Sequence, residues 1–225
     1  MEWAYGLTTV PQRRQTLLPR TLRSLEAAGF PTPRLFVDGD KDIVSWEQEF
    51  HLEVTVRSTQ IHTAGHWVLS LTELYIRQPL ADRYVVFQDD FITYKNLRHY
   101  LERCEYPETG YWNLYTFPSN QKLAEKVGWY LSNQFGRGAV ALVFSRKAVV
   151  TLLTHQHIVE RPQDINKGRR SIDGGIVTAF TKAGWKEWVH NPSLVQHTGV
   201  LSSMKNRPHP LAISFRGESF DANCL

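Results

Sequence analysis

Residues 84–90 are the segment that most restricts the folds open to this chain. Residues 84–87 are Tyr, Val, Val and Phe, an uninterrupted run of apolar residues that favour β-strands. A run of this kind is typical of a strand covered on both faces, as in the parallel sheets of α/β proteins. Two adjacent carboxylates, Asp89 and Asp90, come soon after it. The segment therefore predicts a buried sheet strand with acidic side chains at its carboxyl end.

The position of the two acids favours a role in ligand binding. In open α/β sheets, ligands bind beyond the carboxyl ends of the strands. Because successive side chains on a strand point to opposite faces, Gln88 and Asp90 should share one face, with Asp89 on the other, if the strand continues. Carboxylate oxygens suit Mg²⁺ or Mn²⁺, which commonly hold substrate phosphates through one or two carboxylates. The acids could instead cap a following helix, because aspartate is a favoured N-cap residue.

The rest of the pattern predicts alternating strands and helices. Residues 3–7 and 34–38 are predicted strands, and between them residues 16–28 carry leucines at helical spacing and stop at Gly29. This βαβ unit favours a parallel sheet. Further strands are expected at residues 52–56, 111–117, 139–144 and 185–189, and further helices at 67–77, at 96–104, after Ser145 and at 176–182. We therefore expect an α/β fold, a single domain with a mostly parallel central sheet flanked by helices.

Composition and charge are those of an ordinary globular protein. With 225 residues, 42% of them hydrophobic and 21% charged, the chain is long enough for one domain with a substantial core. Its net charge of +4 and pI near 9.1 suit polyanionic partners such as nucleotides or nucleic acid, although many basic enzymes bind no polymer. Cys104 and Cys224 are far apart and lack a pairing motif, so neither a disulfide framework nor a zinc site follows.

The sequence predicts a cytoplasmic protein without an integral membrane segment. No apolar run approaches the ~20 residues that a membrane span needs. The first predicted strand begins at Trp3, which leaves no space for a signal peptide or a stem. We therefore expect the cytoplasm as its location.

The turn after the first predicted strand offers several groups that bind nucleotides. Thr8 and Thr9 supply hydroxyls, and Arg13 and Arg14 supply guanidinium groups beside the sheet edge. Such a set suits the base, ribose or phosphates of a nucleotide, because arginine can contact phosphate through two parallel hydrogen bonds. The alternative is a solvated basic turn.

Two residues late in the chain are further candidates. Asp173 precedes two glycines at the start of a predicted helix, where it could cap the helix or face a ligand that approaches the backbone closely. His197 closes the segment of residues 191–197 and is followed by a turn of small residues. A lone histidine is more often structural than a metal ligand. The tail from Arg207 onward has no regular period and is expected to lie over the surface or to order on binding.

The order of these motifs resembles that of the GT-A family of nucleotide-sugar glycosyltransferases, over about residues 3–205. The most specific parts are residues 87–90 and residues 191–197. The resemblance implies a GT-A type single domain, with a nucleotide-binding half at about 1–105, an acceptor and catalytic half at 106–205, and a tail at 206–225. It also implies a nucleotide-sugar donor, a UDP-sugar, and a Mn²⁺ or Mg²⁺ ion.

The resemblance also implies roles for individual residues of the metal site. Residues 88–90 fall where the family carries an Asp-x-Asp motif. Asp90 would chelate the metal on the diphosphate, Asp89 would lie close to the ribose or donor sugar, and His197 would complete the metal shell. This chain has Gln88 in place of the first acid, so the metal loses one possible anionic ligand.

The donor and the acceptor chemistry are assigned in the same way. The residues implied to contact the nucleotide sugar are Thr8, Thr9, Arg13, Asp38, Gly65, Gln88 and Asp89. Asp173 matches the acid that serves as general base in inverting members, so transfer is expected to invert the anomeric carbon.

Two other classes of function remain open. A sugar nucleotidyltransferase would share the fold and the metal, but it normally opens with a glycine-rich, lysine-bearing phosphate loop, and residues 7–14 have neither. A non-enzymatic module that binds nucleotides or nucleic acid would keep the sheet. It would not need Asp90, Asp173 and His197 near one another.

The acceptor is left undefined by the resemblance. It could be a saccharide, such as a lipopolysaccharide precursor, or a hydroxymethylated base in duplex DNA, as for phage-encoded glucosyltransferases. The basic loop of residues 166–170, with Lys205 and Arg207, could contact DNA phosphates. In that case affinity should fall steeply with salt, and the target base must leave the stack.

Overall fold

A computed structural model of the protein describes residues 1–164, 166, 172–198 and 210–225. The strands in these ranges are β1 (Trp3–Thr9), β2 (Arg34–Asp38), β3 (Val54–Arg57), β4 (Arg83–Gln88), β5 (Phe91–Thr93), β6 (Gly110–Asn113), β7 (Gly128–Leu131), β8 (Ala141–Ser145), β9 (Lys186–Asn191) and β10 (Val195–His197). The α-helices in the same ranges are α1 (Leu18–Ala27), α2 (Ile43–Phe50), α3 (His62–Arg77), α4 (Leu97–Arg103), α5 (Pro118–Gln121), α6 (Arg146–Leu153), α7 (Gln156–Val159) and α8 (Asp173–Lys182). Short 3-10 turns lie at Pro11–Arg13, Arg161–Gln163 and Ala222–Cys224.

Eight of these strands form one central sheet in the order β3-β2-β1-β4-β8-β6-β9-β7. The strands β3, β2, β1 and β4 are parallel neighbours, and β6 is parallel to β9. The strands β8 and β7 run antiparallel to their neighbours. The other two strands, β5 and β10, form a separate antiparallel pair. The expected α/β fold with a mostly parallel sheet flanked by helices is therefore confirmed.

The apolar run of residues 84–87 lies in β4, and all four side chains are fully buried. Because side chains alternate along a strand, Tyr84 and Val86 pack into one hydrophobic cluster, which includes residues of α3, α6 and α8. Val85 and Phe87 pack into a second cluster, which includes residues of α1 and α4. Full burial of a side chain such as Val or Phe contributes about 1.5–3 kcal/mol. The strand β4 therefore anchors both layers and fixes the position of the acids that follow it.

The helix-cap interpretation of Asp89 and Asp90 is wrong. The strand β4 ends at Gln88, and after the two acids the chain enters β5, not a helix. The two carboxylates are expected on opposite faces only if the strand continues through Asp90. The strand ends at Gln88, so this expectation does not apply. Both carboxylates instead accept hydrogen bonds from one nitrogen of Arg13.

Several element boundaries differ from the sequence prediction. The elements α2, β5 and β7 are not predicted, because runs of three to eight residues give too little periodicity to identify them. The strand predicted at residues 111–117 ends at Asn113, where the Asn113 side chain accepts a hydrogen bond from Tyr115 N at 3.1 Å and turns the chain. The helix predicted at residues 67–77 begins earlier, at His62.

The described part of the C-terminal tail packs against the body of the protein. Phe215 stacks on Tyr94 with ring centroids 4.7 Å apart. The backbone N–H of Lys95 donates to Phe220 O at 3.0 Å. Residues 210–225 therefore lie over the surface of the protein, which is the first of the two arrangements expected for the tail.

Within the described ranges, no helix has both the length and the apolar character that crossing a membrane requires.

Candidate functional site

A cavity of about 530 Å³ lies at the carboxyl ends of β1, β2 and β4. The predicted residues that line it are Thr8, Thr9, Arg13, Asp38, Gln88 and Asp89. The first turns of α3 form another part of its wall, through His62, His66 and Trp67. The cavity therefore lies at the sheet edge where open α/β proteins bind ligands, and its volume is in the range of small-molecule sites.

A larger cavity, of about 1000 Å³, opens at the amino ends of β1 and β2. Its wall includes Glu2, Arg34 and Arg77, and none of the predicted site residues belongs to it. We assign the candidate site to the smaller cavity, because the carboxyl edge of the sheet is the usual ligand position and the buried acids lie there.

Asp89 is fully enclosed at the cavity wall. Thr9 Oγ1 donates to its Oδ2 at 2.5 Å, and Arg13 Nη1 donates to its Oδ1. The Thr21 hydroxyl donates to the main-chain oxygen of Asp89 at 3.0 Å. Burial raises the pKa of the Asp89 carboxyl to about 6, against the opposing effect of Arg13, and the charge of Asp90 adds to the rise.

Asp90 and His197 come together through the pairing of β5 with β10. In this pair His197 lies opposite Phe91, the residue after Asp90. The backbone N–H and hydroxyl of Thr198 both donate to Asp90 O, at 2.8 and 3.0 Å. The result is a distance of 3.4 Å between His197 Nε2 and Asp90 Oδ2, with both side chains buried.

These two residues offer a carboxylate and an imidazole, groups that fit a divalent cation. Asp90 Oδ1 is buried and has no hydrogen-bond partner. Two neighbouring ligands of an octahedral Mg²⁺ at about 2.1 Å lie about 3 Å apart, close to the observed separation. In the described part of the chain no set of three His, Cys, Asp or Glu side chains could hold a metal. A cation here would need phosphate or water ligands, which is how Mg²⁺ is usually bound in proteins.

Arg13 lines the cavity, and its guanidinium hydrogen-bonds to both acids. Its Nη1 donates to Asp90 Oδ2 at 2.9 Å as well as to Asp89 Oδ1. Burial lowers the pKa of the guanidinium, but the charges of Asp89 and Asp90 outweigh burial and raise it overall. Arg13 therefore serves two acids, and its charge lowers the pKa of Asp89 by less than burial raises it.

Asp38 lines the cavity and also holds the start of α3. Its two carboxylate oxygens accept hydrogen bonds from the backbone N–H groups of Ile61 and His62, both at 2.9 Å. Gly65 does not line the cavity: it lies within the first turns of α3, where an added Cβ would contact Ile61 at 3.7 Å. The structure therefore does not bring Gly65 to the other nucleotide candidates.

His66 is a cavity residue that the sequence does not reveal. Its Nε2 lies 3.1 Å from Phe36 O, while its Nδ1 is buried without a partner. Burial lowers the pKa of the His66 imidazole to about 4, a shift that Asp38 opposes. His66 is therefore neutral at pH 7, with Nε2–H donating to Phe36 O and Nδ1 available as an acceptor. Nothing in the sequence around His66 indicates that its side chain would line the cavity.

Asp173 is linked to the site through the loop before β8. It is the first residue of α8, and its Oδ2 accepts a hydrogen bond from Gly138 N at 2.8 Å. One residue further along, Ala139 O accepts from Gln88 Nε2 at 2.9 Å. The carboxylate of Asp173 is thus turned toward this loop, and the N-cap residue of α8, Ile172, makes no side-chain capping hydrogen bond.

Two glycines allow this loop to lie so close to its neighbours. Gly138 has φ +74°, and an added Cβ would overlap the ring of Tyr115. Gly136 has φ +61°, and an added Cβ would lie 2.7 Å from Asp173 O. Both positions need glycine for conformation and for space. The basic residues expected to contact DNA, Lys167, Arg169, Arg170, Lys205 and Arg207, lie outside the described residues.

Comparison with known proteins identifies the fold alone. No protein-family model matches the sequence, and no curated protein matches it. GalNAc-T7, crystallised with UDP, GalNAc and Mn²⁺, has a TM-score of 0.62 at 10% identity, over 87% of this chain and 43% of that chain. This chain therefore spans less than half the length of the GalNAc-T7 chain.

Two further structures are similar over more of their own length. A mannose-1-phosphate geranyltransferase from Thermus thermophilus has a TM-score of 0.51 at 17% identity, over 84% of this chain and 74% of that chain. A Bacillus anthracis protein, solved with sucrose and described as a glucose-1-phosphate thymidylyltransferase, has a TM-score of 0.51 at 12% identity. The match covers 90% of this chain and 92% of that chain. The GT-A type fold expected from the sequence is confirmed by the likeness to GalNAc-T7.

Proposed function

We propose that the protein is a metal-dependent glycosyltransferase that moves a sugar from a UDP-sugar to an acceptor hydroxyl, with inversion at the anomeric carbon. The observation that carries the proposal is the 3.4 Å approach of His197 Nε2 to Asp90 Oδ2 beside the cavity. A buried carboxylate oxygen without a partner belongs to the same pair. Such an oxygen is costly to bury unless a proton, a donor or a cation meets it.

The cavity residues divide the donor between them. Thr8, Thr9 and Asp38 line the cavity, and their hydroxyls and carboxylate are suited to the base and ribose of a nucleotide. Arg13 is suited to the diphosphate. Asp89 would lie against the ribose or the donor sugar, and Gln88 holds the loop that carries Ala139.

Asp90 and His197 are the residues that would hold the cation, Mn²⁺ or Mg²⁺. The cation supplies positive charge that stabilises the negative charge growing on the diphosphate as the sugar leaves.

Asp173 is the proposed general base. Its carboxylate takes the proton of the acceptor hydroxyl while the acceptor oxygen forms a bond to the anomeric carbon. The bond from that carbon to the diphosphate breaks, and the nucleoside diphosphate leaves with the electron pair. The sugar passes through an oxocarbenium-like state, as in glycoside hydrolysis. Gly138 N, at 2.8 Å from Oδ2, keeps the carboxylate oriented.

A sugar nucleotidyltransferase is the second candidate, because the fold is also similar to that of the Bacillus anthracis protein over nearly its full length. Its reaction would join a nucleoside triphosphate to a sugar 1-phosphate and release pyrophosphate. The glycine-rich, lysine-bearing loop expected for that reaction is missing from residues 7–14. A non-enzymatic binding module would leave the approach of Asp90 to His197 without a role.

The proposed acceptor is a saccharide or a hydroxymethylated base in duplex DNA, reached in the cytoplasm. The two differ in the effect of salt. A DNA acceptor would require phosphate contacts, so DNA affinity should fall steeply between 50 and 200 mM salt, by roughly 10³-fold for six contacts. Absent or salt-insensitive DNA binding points to the saccharide.

A thermal-shift screen tests the proposal. Nucleotide sugars and nucleoside triphosphates are added with and without Mn²⁺, and the melting temperature is measured. A ligand at 100 times its Kd stabilises the folded state by about 2.7 kcal/mol. We expect UDP-sugars to raise the melting temperature, and more so with Mn²⁺. A response to triphosphates alone would favour the nucleotidyltransferase, and no response to any nucleotide would contradict both enzymatic proposals.

A further inference from the structure

One nitrogen of Arg13 serves both acids of the candidate site. Nη1 donates to Oδ1 of Asp89 and, at 2.9 Å, to Oδ2 of Asp90. The same Oδ2 lies 3.4 Å from His197 Nε2. The guanidinium therefore lies against the pair of residues that would hold a divalent cation.

Arg13 and a divalent cation compete for the same carboxylates. The two carboxylates share one guanidinium, so they have a single cationic side chain between them. The side chains of Arg13 and Asp90 are only 13% and 7% exposed, so water screens charges poorly here. If Arg13 stayed in place, a cation on Asp90 would meet a second positive charge a few ångströms away. Cation binding therefore favours the departure of the guanidinium.

A diphosphate offers Arg13 a replacement partner. Arg13 lines the cavity that holds Thr8 and Asp38, so phosphates of a ligand in this cavity would lie within reach of its flexible side chain. Its planar group matches phosphate oxygens as well as it matches carboxylates. A guanidinium that moves from the acids to a phosphate keeps its charge paired and frees Asp90.

We infer that Arg13 is an exchangeable counter-ion that makes the cation site dependent on the diphosphate. In the free protein it donates hydrogen bonds to both Asp89 and Asp90. When a nucleoside diphosphate binds, the guanidinium moves to the phosphates, and Asp90 with His197 becomes available to the divalent cation. The two ligands bind as one unit, and each strengthens the binding of the other to the same extent, as linkage requires. This inference rests on the proposed function.

The opposite arrangement is a fixed Arg13 that replaces the cation. Gln88 stands where a further acid would be expected, which reduces the negative charge available to a metal. In that case the acids would stay paired with Arg13 in every ligand state, and Mn²⁺ would neither bind nor respond to nucleotide.

The test is a titration of Mn²⁺ by isothermal calorimetry, with and without saturating UDP, on the wild type and Arg13→Gln. In the wild type we expect weak binding of Mn²⁺ alone and a gain of about tenfold or more with UDP, within the usual range of coupling. In Arg13→Gln, Mn²⁺ alone should bind about tenfold more tightly than in the wild type. The gain from UDP should shrink to a fraction of its wild-type value, although it should stay above one because the cation also contacts the phosphates.

Arg14→Gln is the matched control for the loss of one positive charge. Arg14 is the next residue, but its Nε donates to Glu49 Oε2 at 2.6 Å and its guanidinium lies 4.3 Å from the Trp46 ring centroid. The Arg14→Gln variant should bind Mn²⁺ with the same affinity as the wild type, both with and without UDP. If Arg14→Gln gains as much Mn²⁺ affinity as Arg13→Gln, the gain comes from the lower net charge of the protein and not from the position of Arg13. That result would overturn the inference.

Arg13→Lys keeps the test valid if Arg13→Gln is unstable. Lysine keeps the positive charge but lacks the planar guanidinium that pairs with two acids. The affinity of Arg13→Lys for Mn²⁺ alone should therefore fall between those of the wild type and Arg13→Gln. If Arg13→Gln folds poorly because two acids lack a counter-charge, Mn²⁺ alone should raise its melting temperature more than that of the wild type. Equal Mn²⁺ affinity in the wild type and both variants would overturn the inference.

The proposed function and this inference fail in different ways. If no nucleotide binds, the proposed function falls, while the comparison of Mn²⁺ affinities without nucleotide still decides whether Arg13 competes with a cation. If UDP binds but Mn²⁺ affinity is unaffected by Arg13, the inference falls and the donor assignment stands.

Discussion

His197 Nε2 lies 3.4 Å from Asp90 Oδ2, although one residue follows β4 and the other ends β10 late in the chain. The approach is set by the backbone, because the pairing of β5 with β10 places His197 opposite Phe91. Two hydrogen bonds from Thr198 to Asp90 O hold the same junction. The pairing of two short strands therefore brings together the two side chains of the proposed cation site.

Replacing Asp90 with Asn should remove the Mn²⁺-dependent part of donor binding. The neutral amide is a weaker ligand for a hard cation than a carboxylate. In thermal-shift measurements UDP should then raise the melting temperature of Asp90→Asn equally with and without Mn²⁺. Asp82→Asn is the control, because Asp82 lies just before the other end of β4 and should keep the Mn²⁺ response. A full Mn²⁺ response in Asp90→Asn would exclude Asp90 as a ligand.

Replacing Asp173 with Asn should lower kcat for transfer by about 10²–10⁴-fold, the usual effect of losing a general base. The amide oxygen can still accept from Gly138 N, so the loop should keep its position. KM for the UDP-sugar and the melting temperature should change little, because Asp173 does not line the nucleotide cavity. Steady-state kinetics measures both constants. Unchanged kcat would remove Asp173 from this role.

Gly138→Ala should destabilise the protein more than Gly184→Ala. Both glycines have positive φ, +74° and +79°, so each alanine carries a conformational cost of roughly 1–2 kcal/mol. An added Cβ overlaps the ring of Tyr115 at Gly138 but has nothing within 4 Å at Gly184. Urea unfolding should therefore show an extra loss of about 1–3 kcal/mol for Gly138→Ala, the usual cost of overpacking. Equal losses would mean that the loop moves freely.

Transfer activity should separate the same two variants. Gly138 N holds the Asp173 carboxylate, so displacing the loop should lower kcat in Gly138→Ala. Gly184 follows the far end of α8, and Gly184→Ala should keep the wild-type kcat once folded. Loss of activity in both variants would point to stability alone as the cause.

Stability should fall as the pH is lowered from about 6.5 toward 4, in part because of His190. Burial lowers the pKa of His190 to about 4 in the folded protein, whereas an unfolded histidine titrates near 6.5. Between these values the unfolded chain binds the additional proton, so the free energy of unfolding decreases with falling pH, by at most about 1.4 kcal/mol per pH unit. His190 Nε2 lies 2.7 Å from Tyr100 OH, and its Nδ1 lies 2.7 Å from Pro192 O, a contact that opposes the lowering of the pKa by burial.

Urea unfolding at pH 7 and pH 5 measures this effect. The loss of unfolding free energy between the two values should be smaller in His190→Gln than in the wild type, by more than about 1 kcal/mol. The other titrating groups are common to both proteins and cancel in the comparison. The same loss in both would show that His190 does not contribute.

The architecture follows from the sequence because its main strands are long enough to show a pattern. The run at residues 84–87 predicts β4, and the βαβ unit at the N-terminus predicts the parallel arrangement of β1 and β2. The pairing of β5 with β10 is not predictable in this way. Each strand has only three residues, and their contact depends on how distant segments pack.

The candidate site is predictable by residue type but not by geometry. Thr8, Thr9, Asp38, Gln88 and Asp89 line one cavity because their strands end at the same sheet edge. The position of Arg13 between the two acids depends on the conformation of its side chain, which no sequence pattern predicts. His66 is missed because its unpartnered Nδ1 arises from the packing of α3 on Phe36.

The most direct test of the account is anomalous X-ray scattering at the manganese edge, from crystals grown with Mn²⁺ and UDP. We expect one manganese ion within coordination distance of the Asp90 carboxylate, His197 Nε2 and the diphosphate, with Arg13 moved onto the phosphates. UDP bound in the cavity with no manganese at Asp90 and His197, and with Arg13 still on both acids, would contradict it.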